Sequence, residues 1–375
     1  MKSRICDLLD IEFPLIAFSH CRDVVVEVSK AGGMGVFGAA AHNAESLEIE
    51  LKWIDEHIGG KPYGVDLLAP TSLAITDDDT SESTLARVPE AHRDFARGVL
   101  AQHGIDASDV YANQRGGGGA FLTPKRAANI IDVAFAHPIK LIANALGVPP
   151  RYMLEMGQQH GVAVAALVGA KEHAIKQCEA GVDILVVAGT EAGGHTGDVG
   201  TIVLIPEICE AVKNYDVAVL AAGGIVTGRQ MAACMAMGAH GAWTGSVWLT
   251  TTEAETSPVV KEKYVQASSR STVRSKYRTG KYTRQLRSPW TDAWESADAP
   301  EPLPAPLMSL VSEPALRKVT KLAEGGHAGA RQLATYFVGQ GVGLMNSIQD
   351  TRTVVREFME DYLAAVERLS ATVES

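Results

Sequence analysis

Between Gly161 and Leu249 the chain repeats one pattern, and this repetition limits the possible folds more than any other feature of the sequence. Each repeat has a short apolar run rich in β-forming residues, then a helical stretch, and then a glycine that ends the helix. The run Val162 to Val168 precedes the helix-like KEHAIKQCEA, and the later runs are DILVVAG, VAVLAAGG and GAWTGSVWL. Runs that are apolar throughout are typical of parallel strands covered on both faces.

Similar runs occur earlier, at Pro14 to Phe18, in GMGVFGA, in KPYGVDLLA as the third, and in KLIANAL, and Asn43 is placed to cap the helix LEIELKWIDEHI. By Leu249 the number of such runs is close to the eight strands of a barrel. The sequence therefore predicts an α/β fold, a TIM (β/α)8 barrel, over residues 1–252.

Two stretches interrupt the alternation of strands and helices. Residues 71–119 contain DDDTSES and QRGGGG, which predict a long and partly mobile loop insertion after the third strand, either a solvated linker or an active-site lid. Residues 253–375 lose the βα pattern and contain the rigid PEPLPAP. We expect them to form a mostly helical C-terminal extension or lid, whose final helix, about Asp350 to Leu369, could cover the barrel.

Composition excludes several classes of protein. A net charge of −10 disfavours binding to nucleic acid or to an anionic membrane. The five cysteines are scattered, without CxxC pairs or Cys/His spacing that suits zinc, so no metal site is expected. The acidic start and the lack of a membrane-length apolar run favour a cytoplasmic protein. A homo-oligomer is compatible with the sequence.

A GxGxxG match at Gly33, Gly35 and Gly38, with Asp55 downstream, is the pattern of a dinucleotide fold. That pattern requires its glycines to open a helix. Here the residues between them have strand character, and the helix cap is Asn43. A nicotinamide dehydrogenase is therefore a distant alternative.

Two glycine-bearing pairs follow successive strands: Gly223-Gly224 and Gly245-Ser246. Glycine lets backbone N–H groups approach a phosphate closely, and a serine hydroxyl adds a donor. Either pair alone would be read as a tight turn. Two pairs in consecutive βα units favour a phosphate site, because the last two βα loops of TIM barrels commonly form one.

The segment GTEAGGHTGDVG, residues 189–200, follows DILVVA and should lie at the catalytic rim. It contains one imidazole, His195, near Glu191 and Asp198. A lone histidine is usually structural or solvated. From the residues alone, a general base and a structural histidine are equally compatible with this position.

Several motifs together resemble the nitronate monooxygenase family, formerly called 2-nitropropane dioxygenases. They are PLIAFSH followed by AGGMGVFGA, the GVPP at Gly147 to Pro150, GTEAGGHTGDVG, and AAGGIVTGRQMAACMAMGAHGAWTGSVWLTTTEAE. The resemblance covers most of residues 10–255, with a weaker echo at GQGVGL (Gly339 to Leu344). Flavin-dependent enoyl reductases belong to the same superfamily.

The resemblance implies an FMN-binding barrel. It assigns the FMN phosphate to the same two pairs, and it places Ala17 and Phe18 beside the flavin ring, with Gly194 as a further cofactor contact. His195 matches the family's catalytic histidine, which removes a proton from the carbon that bears the nitro group. Flavin and oxygen then complete the oxidation.

Three departures from the family pattern fall on the substrate side. Ala188-Gly189-Thr190 replaces a segment in which the family often has a glutamine, and Ala17-Phe18-Ser19-His20 replaces the usual AP-Met. His20 is therefore a second imidazole, either near the flavin or at the surface. Seven basic residues lie in residues 270–287 without an acid among them. This run is either a solvated face or, through Arg274 and Arg278, a site for the phosphates of coenzyme A.

The sequence thus predicts an FMN-dependent oxidoreductase of the nitronate monooxygenase type, which oxidises a small carbon acid with molecular oxygen. An FMN-dependent dehydrogenase or reductase that acts on the carbon-carbon bond of an acyl-CoA is the first alternative. A noncatalytic flavin-binding module is a further one.

Overall fold

A closed barrel of parallel strands forms the centre of the computed structural model, which describes residues 2–69, 81–112 and 124–373. Its eight strands are β1 (Leu15–Ser19), β2 (Met34–Gly38), β3 (Tyr63–Leu67), β4 (Leu141–Asn144), β5 (Ala163–Val168), β6 (Ile184–Ala188), β8 (Ala218–Ala222) and β9 (Gly241–Thr244). Strand β9 pairs in parallel with β1 and closes the barrel. The TIM-barrel prediction is confirmed.

Helices connect and surround these strands. They are α1 (Arg4–Leu9), α2 (Arg22–Lys30), α3 (Ala44–His57), α4 (Ser81–Ala86), α5 (Glu90–Gln102), α6 (Pro124–Phe135), α7 (Arg151–His160), α8 (Lys171–Ala180), α9 (Thr201–Ala211), α10 (Gly228–Ala236), α11 (Pro258–Gln266), α12 (Pro289–Trp294), α13 (Leu307–Glu324), α14 (Ala328–Leu333) and α15 (Thr351–Ala371). A second, three-stranded sheet has the order β10 (Thr272–Ser275), β11 (Thr283–Leu286) and β7 (Gly194–His195).

Side chains alternate between the two faces of each barrel strand. In β1, Ile16 joins the cluster that fills the barrel interior, whereas Leu15 joins the cluster between the strands and the helices. Both are fully buried. Because each strand is covered on both faces, its sequence is apolar throughout rather than alternating.

The helix cap predicted at Asn43 is present. The side chain of Asn43 accepts a hydrogen bond from the Ser46 N–H at 2.8 Å, and the Ser46 hydroxyl accepts one from the Asn43 N–H at 3.0 Å. This reciprocal pair satisfies two backbone donors at the start of α3.

The glycines of the GxGxxG match lie on or beside β2 rather than opening a helix. A Cβ at Gly35 would lie 2.3 Å from the carbonyl oxygen of Val25, so this glycine lets α2 pack closely against the strand. Asp55 accepts a hydrogen bond from the Tyr63 hydroxyl at 2.6 Å and pairs with His137. The match therefore serves packing, and Asp55 has structural partners.

The described part of the 71–119 insertion is helical, which differs from the predicted loop. It contains α4 and α5, and Ala96, Val99 and Leu100 bury one face of α5 in the same apolar cluster as α13. The Tyr111 hydroxyl also donates to the carbonyl of Val311 in α13 at 2.9 Å. The C-terminal extension thus supplies the apolar partner that α5 needs, a contact that local sequence does not reveal. Residues 70–80 and 113–123, including QRGGGG, lie outside the described residues.

The final helix predicted near Asp350 is α15, and Asp350 caps it by accepting from the Thr353 N–H at 2.9 Å. It covers α10 closely: a Cβ at Gly228 would lie 1.8 Å from the carbonyl oxygen of Phe358. Asp361 also accepts hydrogen bonds from the backbone and side chain of Arg229, each at 2.7 Å. The extension is therefore packed against the outside of the barrel.

One predicted strand is shorter than expected. Of GAWTGSVWL, only the first four residues form β9, and Ser246–Thr250 is a 3₁₀ helix. The Trp248 indole N–H donates back to the backbone carbonyl and hydroxyl of Thr244, at 3.2 and 3.0 Å, which holds the chain in this turn. Apolar periodicity alone does not separate such a short helix from a strand.

Candidate active site

The loops at the carboxyl ends of β8 and β9 form a glycine-lined cradle. Gly223 and Gly224 follow β8 with φ angles of +100° and +73°, which favour glycine. A Cβ at Gly223 would lie 2.9 Å from the Thr201 hydroxyl, and one at Gly224 would lie 2.9 Å from the Cβ of Glu191. A side chain at either position would therefore crowd the neighbouring loop that contains Glu191 and Thr201.

A third loop, from the C-terminal extension, completes this cradle. The Ser246 hydroxyl accepts a hydrogen bond from the Gly339 N–H at 2.9 Å, and the Gln340 N–H donates to the carbonyl of Glu191 at the same distance. In the sequence, GQGVGL resembles the corresponding family segment only weakly. The contact of Gly339 with Ser246 brings this segment to the candidate site.

The cradle fits a phosphate. Among the described residues, the N–H groups of Gly224 and Gly245 have no acceptor, and both residues are half-buried. A Cβ at Gly245 would have Phe18 as its nearest neighbour at 3.9 Å, so the backbone here is accessible from the barrel mouth. Free amides beside a serine hydroxyl are suitable donors for an anionic group.

Of the two residues expected beside a flavin ring, Phe18 points into the barrel mouth and the Ala17 side chain does not. Phe18 points into the barrel mouth, stacked on Trp243 with ring centroids 6.3 Å apart. Ala17 is fully buried in the outer cluster, because adjacent strand residues point to opposite faces. The expected contact through Ala17 is therefore limited to its backbone.

His195 lies on the small sheet that joins the rim loop to the C-terminal extension. Gly194 and His195 pair with Arg284 and Thr283 of β11, and His195 Nε2 lies 3.0 Å from the Thr279 hydroxyl. The residue as a whole is exposed to solvent. Dense protein around the ring and, to a smaller extent, the charge of Lys281 lower the pKa of His195 to about 4. The imidazole is thus neutral, and able to accept a proton, at neutral pH.

The two carboxylates near His195 in the sequence have other partners. Glu191 accepts hydrogen bonds from the backbone and hydroxyl of Thr201, at 2.9 and 2.8 Å, and so caps α9. Asp198 forms an ion pair with Arg274. The described partner of the His195 ring is Thr279, which sequence reasoning missed because it lies 84 residues away.

Comparisons with known proteins decide the family. The nitronate monooxygenase family model matches residues 2–361. The chain belongs to the nitronate monooxygenase family. A Mycobacterium tuberculosis protein named as a monooxygenase, Rv1533, is 50% identical over 377 residues, 100% of each chain. A Staphylococcus saprophyticus protein named as a nitronate monooxygenase is 26% identical and covers 77% of this chain and 79% of its own.

Solved structures show the same fold. A nitroalkane oxidase from Streptomyces ansochromogenes has a TM-score of 0.78 at 23% identity and covers 97% of this chain and 99% of its own. FabK from Thermotoga maritima has a TM-score of 0.73 at 24% identity and covers 99% of both chains. Family membership makes this protein a flavin-dependent oxidoreductase that acts on a small molecule.

The described residues include neither a membrane-spanning helix nor a cluster of metal ligands. None of their helices is both long and apolar enough to cross a bilayer. The same residues contain no group of three or more His, Cys, Asp or Glu side chains that could hold a metal ion.

The basic run in this family member is not one exposed face. Arg278 is 2% exposed, and its guanidinium bonds Glu313 at 2.9 Å and Gln285 at 3.0 Å. Arg284 is also buried and donates to the Thr190 carbonyl at 3.0 Å. Arg278 cannot bind a substrate tail, and that expectation was wrong: its partners come from later elements of the extension. Arg274 remains near the rim.

His20 lies at the mouth of the barrel. Its Nδ1 lies 2.9 Å from the carbonyl oxygen of Gly38, and its ring meets the edge of Phe18 with centroids 5.1 Å apart. The residue is exposed. Since Phe18 points into the mouth, this exposure is toward the open end of the barrel.

Proposed function

We propose that this protein is an FMN-dependent oxidase of small carbon acids, of the nitronate monooxygenase type, with molecular oxygen as the electron acceptor. The observation that carries the proposal is the position of the His195 ring, beside Thr279 on the rim that also bears the glycine cradle, and its lowered pKa of about 4 leaves it neutral. A neutral imidazole at this rim can remove a proton from an acidic carbon.

Thr279 can also set the tautomer of His195. Its hydroxyl lies 3.2 Å from the carbonyl of Lys281 and accepts from the Lys281 N–H at 3.3 Å. A hydroxyl can donate only one hydrogen bond. When the Thr279 hydroxyl donates to the Lys281 carbonyl, its oxygen accepts a hydrogen bond from Nε2–H of His195. Nδ1 then carries the lone pair and acts as the base.

FMN, rather than a dinucleotide flavin, suits the cradle. Gly224, Gly245 and Ser246 surround space for one terminal phosphate. The bound flavin would supply the redox chemistry, accepting electrons from the deprotonated carbon. In this proposal the cradle residues hold the phosphate and Phe18 lines the barrel mouth. His195 accepts the proton that leaves the substrate carbon.

Steady-state assays test the proposal. The purified yellow protein should turn over propionate-3-nitronate with oxygen uptake, and a panel of acyl-CoA thioesters should be poor substrates. The acyl-CoA alternative has weaker support, because Arg278 is buried and only Arg274 remains as a proposed contact with a phosphate tail. Turnover of acyl-CoA without turnover of the nitronate would reverse this assignment.

The role of His195 has its own test. We expect His195→Asn to slow oxidation of a neutral nitroalkane by about 100-fold or more, the usual contribution of a positioned base. Oxidation of the preformed nitronate anion should change little, because no proton leaves carbon. Equal losses on both forms would show that His195 binds or orients the substrate instead.

A further inference from the structure

Arg274 and Arg284 lie directly opposite each other in the small three-stranded sheet. They are paired in register between the antiparallel strands β10 and β11. Side chains paired in this way have Cβ atoms about 5 Å apart, and two like charges at such positions destabilise the pairing. The basic run of residues 270–287 thus brings two positive charges together, and a negative charge is needed to compensate them.

The protein compensates these charges only in part. Asp198 forms an ion pair with Arg274, but 82% of the Asp198 side chain is exposed, so solvent screens the pair. Arg284 is 8% exposed and donates to two neutral oxygens, the Thr190 carbonyl at 3.0 Å and the Thr272 hydroxyl at 3.1 Å. Among the described residues, no carboxylate oxygen lies within ion-pair distance of the Arg284 guanidinium group.

The charge of each arginine acts on the other. Burial lowers the pKa of Arg284, and the neighbouring charge of Arg274 lowers it further. The carboxylate of Glu191 opposes this shift, but it is already hydrogen-bonded to the Thr201 hydroxyl at 2.8 Å. An anion beside both guanidinium groups would offset the repulsion between them.

The arginine pair also has hydrogen-bond donors that the protein does not use. Nε of Arg274 is buried and makes no hydrogen bond with any residue that the structure describes. Of the two terminal nitrogens of Arg284, only one has an acceptor in the same part of the chain. Buried donors in native proteins nearly always have a partner. These unused donors therefore indicate an acceptor that comes from a ligand.

Tyr282 places a third cation beside the pair. The guanidinium carbon of Arg274 lies 4.0 Å from the centroid of the Tyr282 ring, and Nζ of Lys276 lies 4.7 Å from the same centroid. Within the described ranges 2–69, 81–112 and 124–373, Lys276 has no carboxylate partner. Cation–π contacts hold both side chains at one ring. Three cations thus lie together with one exposed carboxylate.

These cations lie on the face of the small sheet opposite to His195. Gly194, Arg284 and Arg274 form one row of paired residues, and the next row contains His195 and Thr283. Adjacent rows of a sheet point to opposite faces. A ligand of the arginines is therefore separate from the carbon whose proton His195 removes.

We propose that Arg274, Arg284 and Lys276 bind a phosphate group, which replaces Asp198 on Arg274. Guanidinium groups bind oxyanions through paired N–H donors, and the unused donors of the two arginines suit a group with several acceptor oxygens. A dianion also compensates both arginine charges, which a single carboxylate cannot do. The phosphate is either free inorganic phosphate or the phosphate of a nucleotide. Its binding does not depend on the proposed oxidation of carbon acids.

Calorimetric titration of inorganic phosphate into the FMN-saturated protein tests this site, in a phosphate-free buffer of low ionic strength. Under the proposed function FMN fills the cradle, so the added phosphate binds elsewhere. Arg274→Gln should weaken phosphate binding by at least about tenfold, the loss expected when charge-assisted hydrogen bonds are removed. Arg287→Gln is the matched control, because Arg287 is an exposed cation of the same run with its own partner, Asp292. The control should leave the affinity unchanged.

Asp198→Asn provides a second variant with an effect in the opposite direction. It removes the carboxylate that competes for Arg274, so phosphate should bind about two- to fivefold more tightly, in keeping with the usual strength of an exposed ion pair. Misfolding would not strengthen binding, so this variant decides even where a substitution at Arg274 disturbs the sheet. Equal phosphate affinity in the parent, Arg274→Gln and Asp198→Asn proteins would overturn the proposal. No saturable binding to the FMN-saturated parent would overturn it as well.

Adenosine 5′-monophosphate, titrated in the same way, distinguishes the two sources of phosphate. A higher affinity than that of inorganic phosphate, lost in Arg274→Gln, would assign the site to a nucleotide. An equal or lower affinity would assign it to free phosphate. Failure of the protein to oxidise propionate-3-nitronate would refute the proposed function alone, because neither titration involves turnover.

Discussion

The hydroxyl of Thr279, in the turn between β10 and β11, lies 3.0 Å from Nε2 of His195. The C-terminal extension therefore contributes directly to the candidate active site, both through this contact and through Gly339 at the cradle. Without the extension the site would lack both of these contacts.

Thr279→Val should lower kcat for a neutral nitroalkane by about tenfold, part of the 100-fold or more that a positioned base contributes. The valine matches the shape of threonine but cannot hold Nε2. Thr279→Ser should retain most activity, and the Michaelis constant should change little in either variant. Equal activity of the valine and serine variants in steady-state assays would exclude Thr279 as the residue that positions His195.

The pH profile should show the lowered pKa of His195. Since the imidazole must be neutral to accept a proton, kcat/KM for a neutral nitroalkane should stay level as pH falls through 6.5 and decline only toward about 4. Lys281→Gln removes a nearby positive charge, so its profile should decline at a higher pH than that of the parent. A decline centred near 6.5 in the parent enzyme would contradict the assigned environment.

Gly224→Ala should weaken flavin retention, because the added Cβ would lie 2.9 Å from Glu191 and crowd the cradle. Gly161→Ala is the matched control: its φ of +63° is close to the +73° of Gly224, but a Cβ there meets nothing within 4 Å. Both variants carry similar backbone strain. The flavin-to-protein absorbance ratio after dialysis should fall in the first variant alone, and the extracted cofactor should have the mass of FMN.

Arg278→Met should destabilise the fold by about 3 kcal/mol, because it leaves Glu313 without its buried cation. Arg274→Met should cost less than about 1 kcal/mol, since its partner Asp198 is largely exposed. Urea unfolding of the two apoproteins measures both values. Similar stability of the two variants would mean that the buried position of Arg278 contributes little.

Local sequence was sufficient for the barrel. Apart from GAWTGSVWL, which extends past the end of β9, the apolar runs located the barrel strands within one or two residues, and the Asn43 cap was predicted correctly, because parallel strands and helix termini impose short-range patterns. The two glycine pairs were also predicted to follow successive strands, and they lie directly after β8 and β9.

The tertiary structure decided what depends on distant partners. It placed Thr279 on His195 and buried Arg278 beside Glu313, and it showed that α5 is a helix packed on α13. It also set Arg274 opposite Arg284 through the pairing of β10 with β11. Such contacts join residues from different βα units or from the extension. They arise from how the units pack, so the periodicity of a single segment does not carry them.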